Sequence, residues 1–163
     1  MRNQTIYGIL IYVTFALCFY TAPSANAASQ EEEVLQVEEN FVKAHNTNDY
    51  QLICSLYWKS PKTSSFVPPQ DNPFLIQGSE EIENGWRFLS EIPKGTYNIS
   101  IHHPQVIMLK EDVAVITSYC NVMYTDPSTK EQSVDHIRHT AVVQKIGGKW
   151  LIVHDHGSNL SEK

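Results

Sequence analysis

The sequence predicts an α+β domain in which helices come first and long antiparallel strands follow. Three observations carry that expectation. Val34, Val37, Phe41 and Ala44 recur at helical spacing. From Tyr97 onward the apolar period changes to two. The chain then closes in VDHIRHTAVVQKIGGKWLIVHDHGS, Val134 to Ser158. There, two β-type runs flank Gly147-Gly148, a pair able to take the positive φ angles of a tight hairpin turn.

The first segment, Met1 to Ala27, reads as a signal peptide. Arg2 supplies a positive start, Ile6 to Tyr20 is an apolar run too short to span a bilayer comfortably, and Ala25-Asn26-Ala27 is a small-x-small cleavage pattern. Cleavage after Ala27 and export to a periplasm or the exterior are expected, leaving one domain over residues 28–163. Cys18 follows Leu17 rather than a small residue, which argues against a lipoprotein anchor.

Ser29 with Glu32 has the form of a capping box, and Glu31 to Glu33 suit a helix N-terminus. A helix from about Gln30 to Asn46 is expected. Asn46-Thr47-Asn48-Asp49 stops it, and Asp49 can cap a second, short helix that buries Leu52, Ile53 and Leu56. Trp58 and Phe66-Val67 look like strand, interrupted by Ser60-Pro61-Lys62. Pro68-Pro69 and Asp71-Asn72-Pro73 form a loop before a short strand at Phe74 to Ile76. Gly78-Ser79 opens a third helix whose buried stripe is Ile82, Trp86 and Leu89. Tyr97, Ile99, Ile101 and His103 share one face of a strand that Pro104 perturbs. A further strand from Val113 to Tyr124 and the terminal hairpin complete the chain.

This order, with three stretches, resembles the nuclear transport factor 2-like superfamily, and within it the SnoaL-like and ketosteroid isomerase-like branch. The stretches are FVKAHNTNDYQLICSLY (Phe41 to Tyr57), FVPPQDNPFLIQGSEEIENGW (Phe66 to Trp86) and RHTAVVQKIGGKWLIVHDHGS (Arg138 to Ser158). The terminal stretch also looks like the association domain of calcium/calmodulin-dependent kinase II, which bears on fold and oligomerisation. The resemblance implies a cystatin-like cone: a six-stranded curved antiparallel sheet wrapped around the long first helix, with a pocket at its open end. It also implies homodimers formed through the outer sheet face. Ketosteroid isomerases place a tyrosine where Phe41 stands and a carboxylate base in the region of Ser64, Ser65 and Phe66. Neither is present, so that enolising machinery is not expected here.

Most of the imidazole lies on the two terminal strands. His154 and His156 are two apart, and the alternation puts them on one face with Trp150 and Ile152, with Asp155 opposite. His136 and Arg138 share a face on the preceding strand with Thr140. If those faces coincide, the pocket holds imidazoles as acid/base candidates (His154, His156) and a guanidinium able to pair with a carboxylate (Arg138). His136, Trp58, Trp86, Tyr119 and Asn121 are the further substrate-binding candidates. Each has a plainer reading as strand-tying polar group or core aromatic. His154-x-His156 with His136 or His139 could supply three metal ligands. Any strand with alternating histidines has that spacing, and no HExxH or cysteine pair accompanies it, so no metal or other cofactor is assigned.

Composition narrows the partners. Hydrophobic residues make up 42% and charged residues 18%, a globular balance. The formal charge is −6, and removal of Arg2 with the signal makes it −7. An acidic domain without a basic run is a poor nucleic-acid binder, and no membrane partner is expected after cleavage. Cys54 and Cys120 lie in apolar runs and read as buried free thiols. The leading functional expectation is an exported homodimer that binds a small, partly apolar molecule. The alternatives are an isomerase, cyclase, dehydratase or hydrolase with a terminal histidine as acid/base, and a non-catalytic oligomerisation module.

Overall fold

The computed structural model describes residues 25–66 and 75–160. Helix α1 spans Ala25–Thr47 and α2 Tyr50–Ser55, followed by short strands β1 (Ser64–Phe66) and β2 (Ile76–Gln77). Helix α3 (Ser79–Trp86) runs into a 3-10 turn, Arg87–Ser90. Four long strands follow: β3 (Tyr97–Lys110), β4 (Val113–Thr125), β5 (Gln132–Ile146) and β6 (Lys149–Asn159). They form one six-stranded curved sheet in the order β2-β1-β6-β5-β4-β3, with β1 parallel to β6 and the other pairs antiparallel. This is the α+β cone that the sequence predicts.

Local chemistry explains the element ends. Asp49 caps α2 by accepting from the Leu52 amide at 2.9 Å. Gly147 (φ 58°) and Gly148 (φ 81°) make the β5–β6 turn. Asp126 closes the β4–β5 connection by accepting from the Ser128 and Thr129 amides. One boundary differs from expectation: α1 starts at Ala25, so Ser29 lies inside the helix and is not its cap. Alanine at positions 25, 27 and 28 favours extending the helix backwards past the capping-box pattern. Trp58 forms no strand; next to it, Tyr57 makes an isolated bridge to Ile152. The segment up to residue 24, expected to belong to a signal peptide, and the expected proline loop at residues 67–74 lie outside the described residues.

The inner face of the sheet packs on α1. Val34, Val37, Phe41 and Ala44 meet Ala114, Ile116, Ala141, Val143 and Ile152 in one buried cluster, with Ile82, Trp86 and Leu89 closing the side. Three register shifts interrupt the long strands, and beside one between Met108 and Lys110 on β3 there are two others. One lies between His102 and Gln105 on β3, where His103 takes a φ of 53° just before Pro104. The other lies on β6, where Val142 pairs with His154 but Val143 pairs with Ile152, leaving Val153 without an opposite residue.

The end of α1 is pinned to the sheet edge. Asn46 donates to the Ile99 carbonyl (3.0 Å) and accepts from the Ile99 amide (2.7 Å), so its carboxamide takes the place of a neighbouring strand along β3. Asn48, at φ 55°, donates to the Leu89 and Ile92 carbonyls. Replacing Asn46 by alanine orphans both Ile99 groups. It is expected to destabilise the domain by about 2 kcal/mol, with Asn46→Asp losing about half as much because it keeps the acceptor. Urea unfolding of the two variants beside the parent checks this, and equal losses would argue against the paired-amide role.

Candidate functional site

The β6 shift decides which side chains meet the interior. Before it, Trp150 and Ile152 point inward and are buried. After it, the inward parity passes to Asp155, Gly157 and Asn159, which line an inner cavity of about 390 Å³. The expected face assignment on this strand is therefore corrected: Asp155 is the inward residue, while His154 and His156 lie on the opposite face from Trp150 and Ile152. His154 is bonded to the Ser64 hydroxyl at 2.8 Å, and Phe66 meets both imidazoles edge-on.

The face holding His136 and Arg138 does coincide with that of His156, as Thr140 pairs with His156 and Arg138 with Ser158. It is the outer face. Tyr119 pairs with Arg138 and Asn121 with His136 across β4 and β5. Asn121 bonds His136 (2.7 Å) and His102 (3.1 Å) in an exposed chain. Trp58 is half-buried and does not line the cavity. Of the eight residues singled out from sequence, Trp86 alone faces the cavity.

The cavity is walled by Phe41, Trp86, Phe88, Tyr97, Ile82 and Ile137, and its polar groups include His45, Ser65, His139 and Asp155. Phe41 is stacked on His139 (ring centroids 5.3 Å, 22°) and leans on His45 (4.3 Å), while Trp86 meets Phe41 and His45 edge-on. His139 is 7% exposed and sits between two buried carboxylates, Glu38 (4%) and Asp155 (0%). Its Nδ1 is 3.4 Å from Glu38 Oε1 and its Nε2 is 3.9 Å from Asp155 Oδ2. Ser118 donates to Glu38 at 2.7 Å, and the Tyr57 hydroxyl donates to Asp155 Oδ2 at 3.0 Å. Three buried polar atoms have no protein partner here: Ser65 Oγ, His139 Nε2 and Asp155 Oδ1.

Burial alone would push the His139 imidazole down. Attraction from the flanking Asp155 and Glu38 carboxylates outweighs it and raises its pKa to about 9. His45 behaves oppositely: burial lowers it to about 4 against the support of its 2.7 Å bond with the Phe41 carbonyl. Burial first, then the Asp155 charge, drives the Tyr57 phenol well above its ordinary value. At neutral pH the site therefore holds a protonated His139, a neutral His45 and a neutral Tyr57.

Sequence reasoning missed Glu38, His45, Tyr57, Ser65, His139 and Asp155 as a group. Two signals were available. Glu38 and His45 fall in the stripe Val34–Glu38–Phe41–His45, so they are polar residues at buried helix positions. His139 alternates with Ala141 and Val143 on the core face. Among the described residues no group of three His, Cys, Asp or Glu side chains is arranged to hold a metal ion. Cys54 and Cys120 are buried and unpaired.

The curved sheet, the helix packed on it and the inner cavity make up a nuclear transport factor 2-like fold. Within it, the model of the calcium/calmodulin dependent protein kinase II association domain matches residues 30–161, and the chain belongs to that family. No curated protein matches the sequence. The C. elegans CaMKII association domain superposes with a TM-score of 0.67 at 21% identity, covering 80% of this chain and 96% of that one. A candidate association domain of the same kind from Xanthomonas campestris covers 95% and 100%, with 22% identity and a TM-score of 0.60. A candidate dehydratase of the NTF2-like family from Streptomyces avermitilis gives a TM-score of 0.72 at 16% identity, covering 83% and 99%.

The shifted imidazoles generate a stability profile. The folded pKa of His139 lies above its unfolded value, so its contribution is complete below a pH of about 6.5 and is lost as pH rises through about 9. That of His45 lies below, so its contribution is complete above about 6.5 and is lost as pH falls through about 4. Urea unfolding should show maximal stability near pH ~6.5 and a loss of about 1.5 kcal/mol by pH ~8. The alkaline loss should flatten in His139→Gln; an unchanged slope in that variant would remove His139 as its source.

Proposed function

We propose that this domain self-associates, with a homodimer as its unit, and holds a small, partly apolar molecule in the inner cavity. The observation that carries the binding reading is the inner cavity of about 390 Å³, walled by Phe41, Trp86, Phe88 and Tyr97 with a few polar residues set among them. A few fixed polar groups on apolar walls are the makeup of a ligand site. Self-association is supported by the family and by the outer sheet face. There Ile107 (51% exposed), Leu109 (59%), Tyr119 and Val134 leave apolar surface uncovered.

A second reading, acid–base catalysis on the bound molecule, is favoured by one specific feature. A protonated imidazole and a carboxylate meet at the cavity, and the dehydratase-like neighbours have the same fold. The His139–Asp155 pair carries this reading rather than His154 or His156. Export after cleavage behind Ala27 completes the proposal and rests on the apolar leader and its small residues. Among the described residues no helix is long and apolar enough to cross a membrane.

Native mass spectrometry of the protein from its own host, followed by denaturation, tests the three parts together. The expected result is a chain starting at Ala28, an assembly of two or an even number of copies, and added mass that leaves on denaturation. A monomer without added mass would count against both association and tight binding. Tyr119→Arg combined with Val134→Glu should dissociate the assembly while leaving the circular dichroism spectrum unchanged. Persistence of the assembly in this double variant would move the interface elsewhere.

A further inference from the structure

We infer that the inner cavity takes an apolar amine, with its ring-sized body between the aromatic walls and its ammonium group at the mouth against the Asp135 carboxylate. The inference rests on the ligand-binding reading above and names the chemistry of the ligand.

Asp135 reaches the cavity by the parity of β5. Ile137 and His139 line it from that strand, and Asp135 shares their alternation. Asp135 pairs with Val122, and Val122 with Ile99, so one inward row crosses three strands and ends in a carboxylate. All three residues line the cavity. Asn159 lines it too, opposite Ile137 and so on the diagonal from Asp135. Exposure gives the cavity a direction. Asp135 and Asn159 are exposed, Val122 and Ile137 are half-buried, and Cys120, His139 and Asp155 are buried. The cavity therefore opens at the Asp135 end. The ion pairs among the described residues are Lys59–Glu83, His139 with Glu38 and Asp155, and Lys145–Glu33. None of them engages Asp135, which leaves its carboxylate open to a cation at the mouth.

Charge fixes the sign of the ligand. Deeper in, a single protonated His139 lies between Glu38 and Asp155, so the buried cluster has one more carboxylate than cation. No Lys or Arg is among the described lining residues. Both ends of the cavity therefore repel an anion, and low-dielectric walls focus that field. An ammonium held at the mouth pairs with Asp135 without entering the desolvated interior. It has three N–H groups, enough for Asp135, the Asn159 side-chain oxygen and water. The aromatic run meets the same end. Phe88 lies 6.0 Å from Trp86 and 5.8 Å from Tyr97, which it meets edge-on. The Asp135 charge reaches the Tyr97 phenol, where burial, the largest cause, and Cys120 join it in raising the pKa above the ordinary value. These rings can pack on an apolar body, and their faces attract a neighbouring cation.

A matched series separates this inference from the reading beneath it: cinnamylamine, cinnamyl alcohol and cinnamate. They share a body and differ in the polar end. The parent protein is titrated near pH ~7, where the amine is protonated, and followed by NMR of the Trp86 indole N–H and the Asn159 carboxamide. Cinnamylamine should bind about fivefold more tightly than the alcohol, and cinnamate more weakly than either. Raising the salt from ~0.05 M to ~0.5 M should shrink the amine's advantage and leave the alcohol unchanged. Asp135→Asn, at an exposed position, should abolish that advantage with the alcohol's affinity kept. The order and salt response measured in the parent stand even if that variant does not fold. An amine that binds no better than the alcohol overturns the inference while leaving an apolar ligand site. Tightest binding of cinnamate overturns it by reversing the charge preference. An advantage that persists in Asp135→Asn places the ammonium elsewhere and overturns the assignment to this carboxylate. Binding of none of the three overturns the ligand-cavity reading and this inference with it.

Discussion

The site depends on one unpaired residue in a β ladder. Val153 has no partner across from it on β5, and that single extra residue moves the inward parity of β6 from Trp150 and Ile152 to Asp155. Without the shift, the carboxylate would face out and two imidazoles would face in. With it, Asp155 is fully buried and must be compensated. The free-energy cost of an uncompensated buried carboxylate is several kcal/mol. The surrounding sequence supplies the compensation from distant points in the chain: the Tyr57 hydroxyl at 3.0 Å and the His139 imidazole at 3.9 Å. Glu38, from α1, then holds the other side of that imidazole. One bulge thus couples the first helix, the segment after the second and the last two strands. The coupling is electrostatic and places groups that cannot be removed singly without leaving a buried charge unpaired.

The fold was legible in the sequence because its signals are local. Asp49 announces α2, Gly147-Gly148 announces the last turn, and the stripe Ile82–Trp86–Leu89 is buried as its spacing requires. The site was not legible because its geometry is a matter of parity, and parity is changed by features that leave no pattern in composition. A bulge at Val153 looks in sequence like any valine in a strand. Counting by two from Trp150 leads to His154 and His156, and every step after the bulge is one residue out. The same counting on β5, which has no shift before His139, gives its inward residues correctly as Ile137, His139, Ala141 and Val143. What it could not say was that this face, and not the one bearing Arg138, meets the cavity. Both faces carry apolar residues, and only the packing of α1 distinguishes them.

The sheet consequently divides its polar residues by task. The outer face keeps those that water or another protein surface can satisfy: the His102–Asn121–His136 chain, Arg138 and Tyr119. The inner face keeps a small number, Glu38, Ser118, His139, Asp155 and Tyr57 among them, that pair with one another beneath the cavity. A guanidinium inside would have made the pocket an anion site, as Arg138 suggested from sequence. Its position on the outer side leaves the interior with carboxylates and a shared proton.

That shared proton also limits what chemistry the cavity can perform. His139, raised to about 9 by the pull of Asp155 and Glu38 against its burial, is charged across the neutral range, so it can donate a proton but has no free lone pair with which to take one. His45, lowered to about 4 by burial, is uncharged over the same range, and its Nδ1 is engaged with the Phe41 carbonyl. The phenol of Tyr57 stays protonated and is committed to Asp155 Oδ2. Among these groups the unengaged Asp155 Oδ1 remains to receive a proton. Any acid–base step in this cavity would therefore take a proton from the imidazolium at one atom of the bound molecule and return one to Asp155 from another. Such a reaction would keep the net charge of the buried cluster unchanged from start to finish, because the proton lost by His139 is matched by the one gained at Asp155. With no Lys or Arg among the described lining residues, a step that leaves charge balanced avoids the desolvation cost that separated charge would incur.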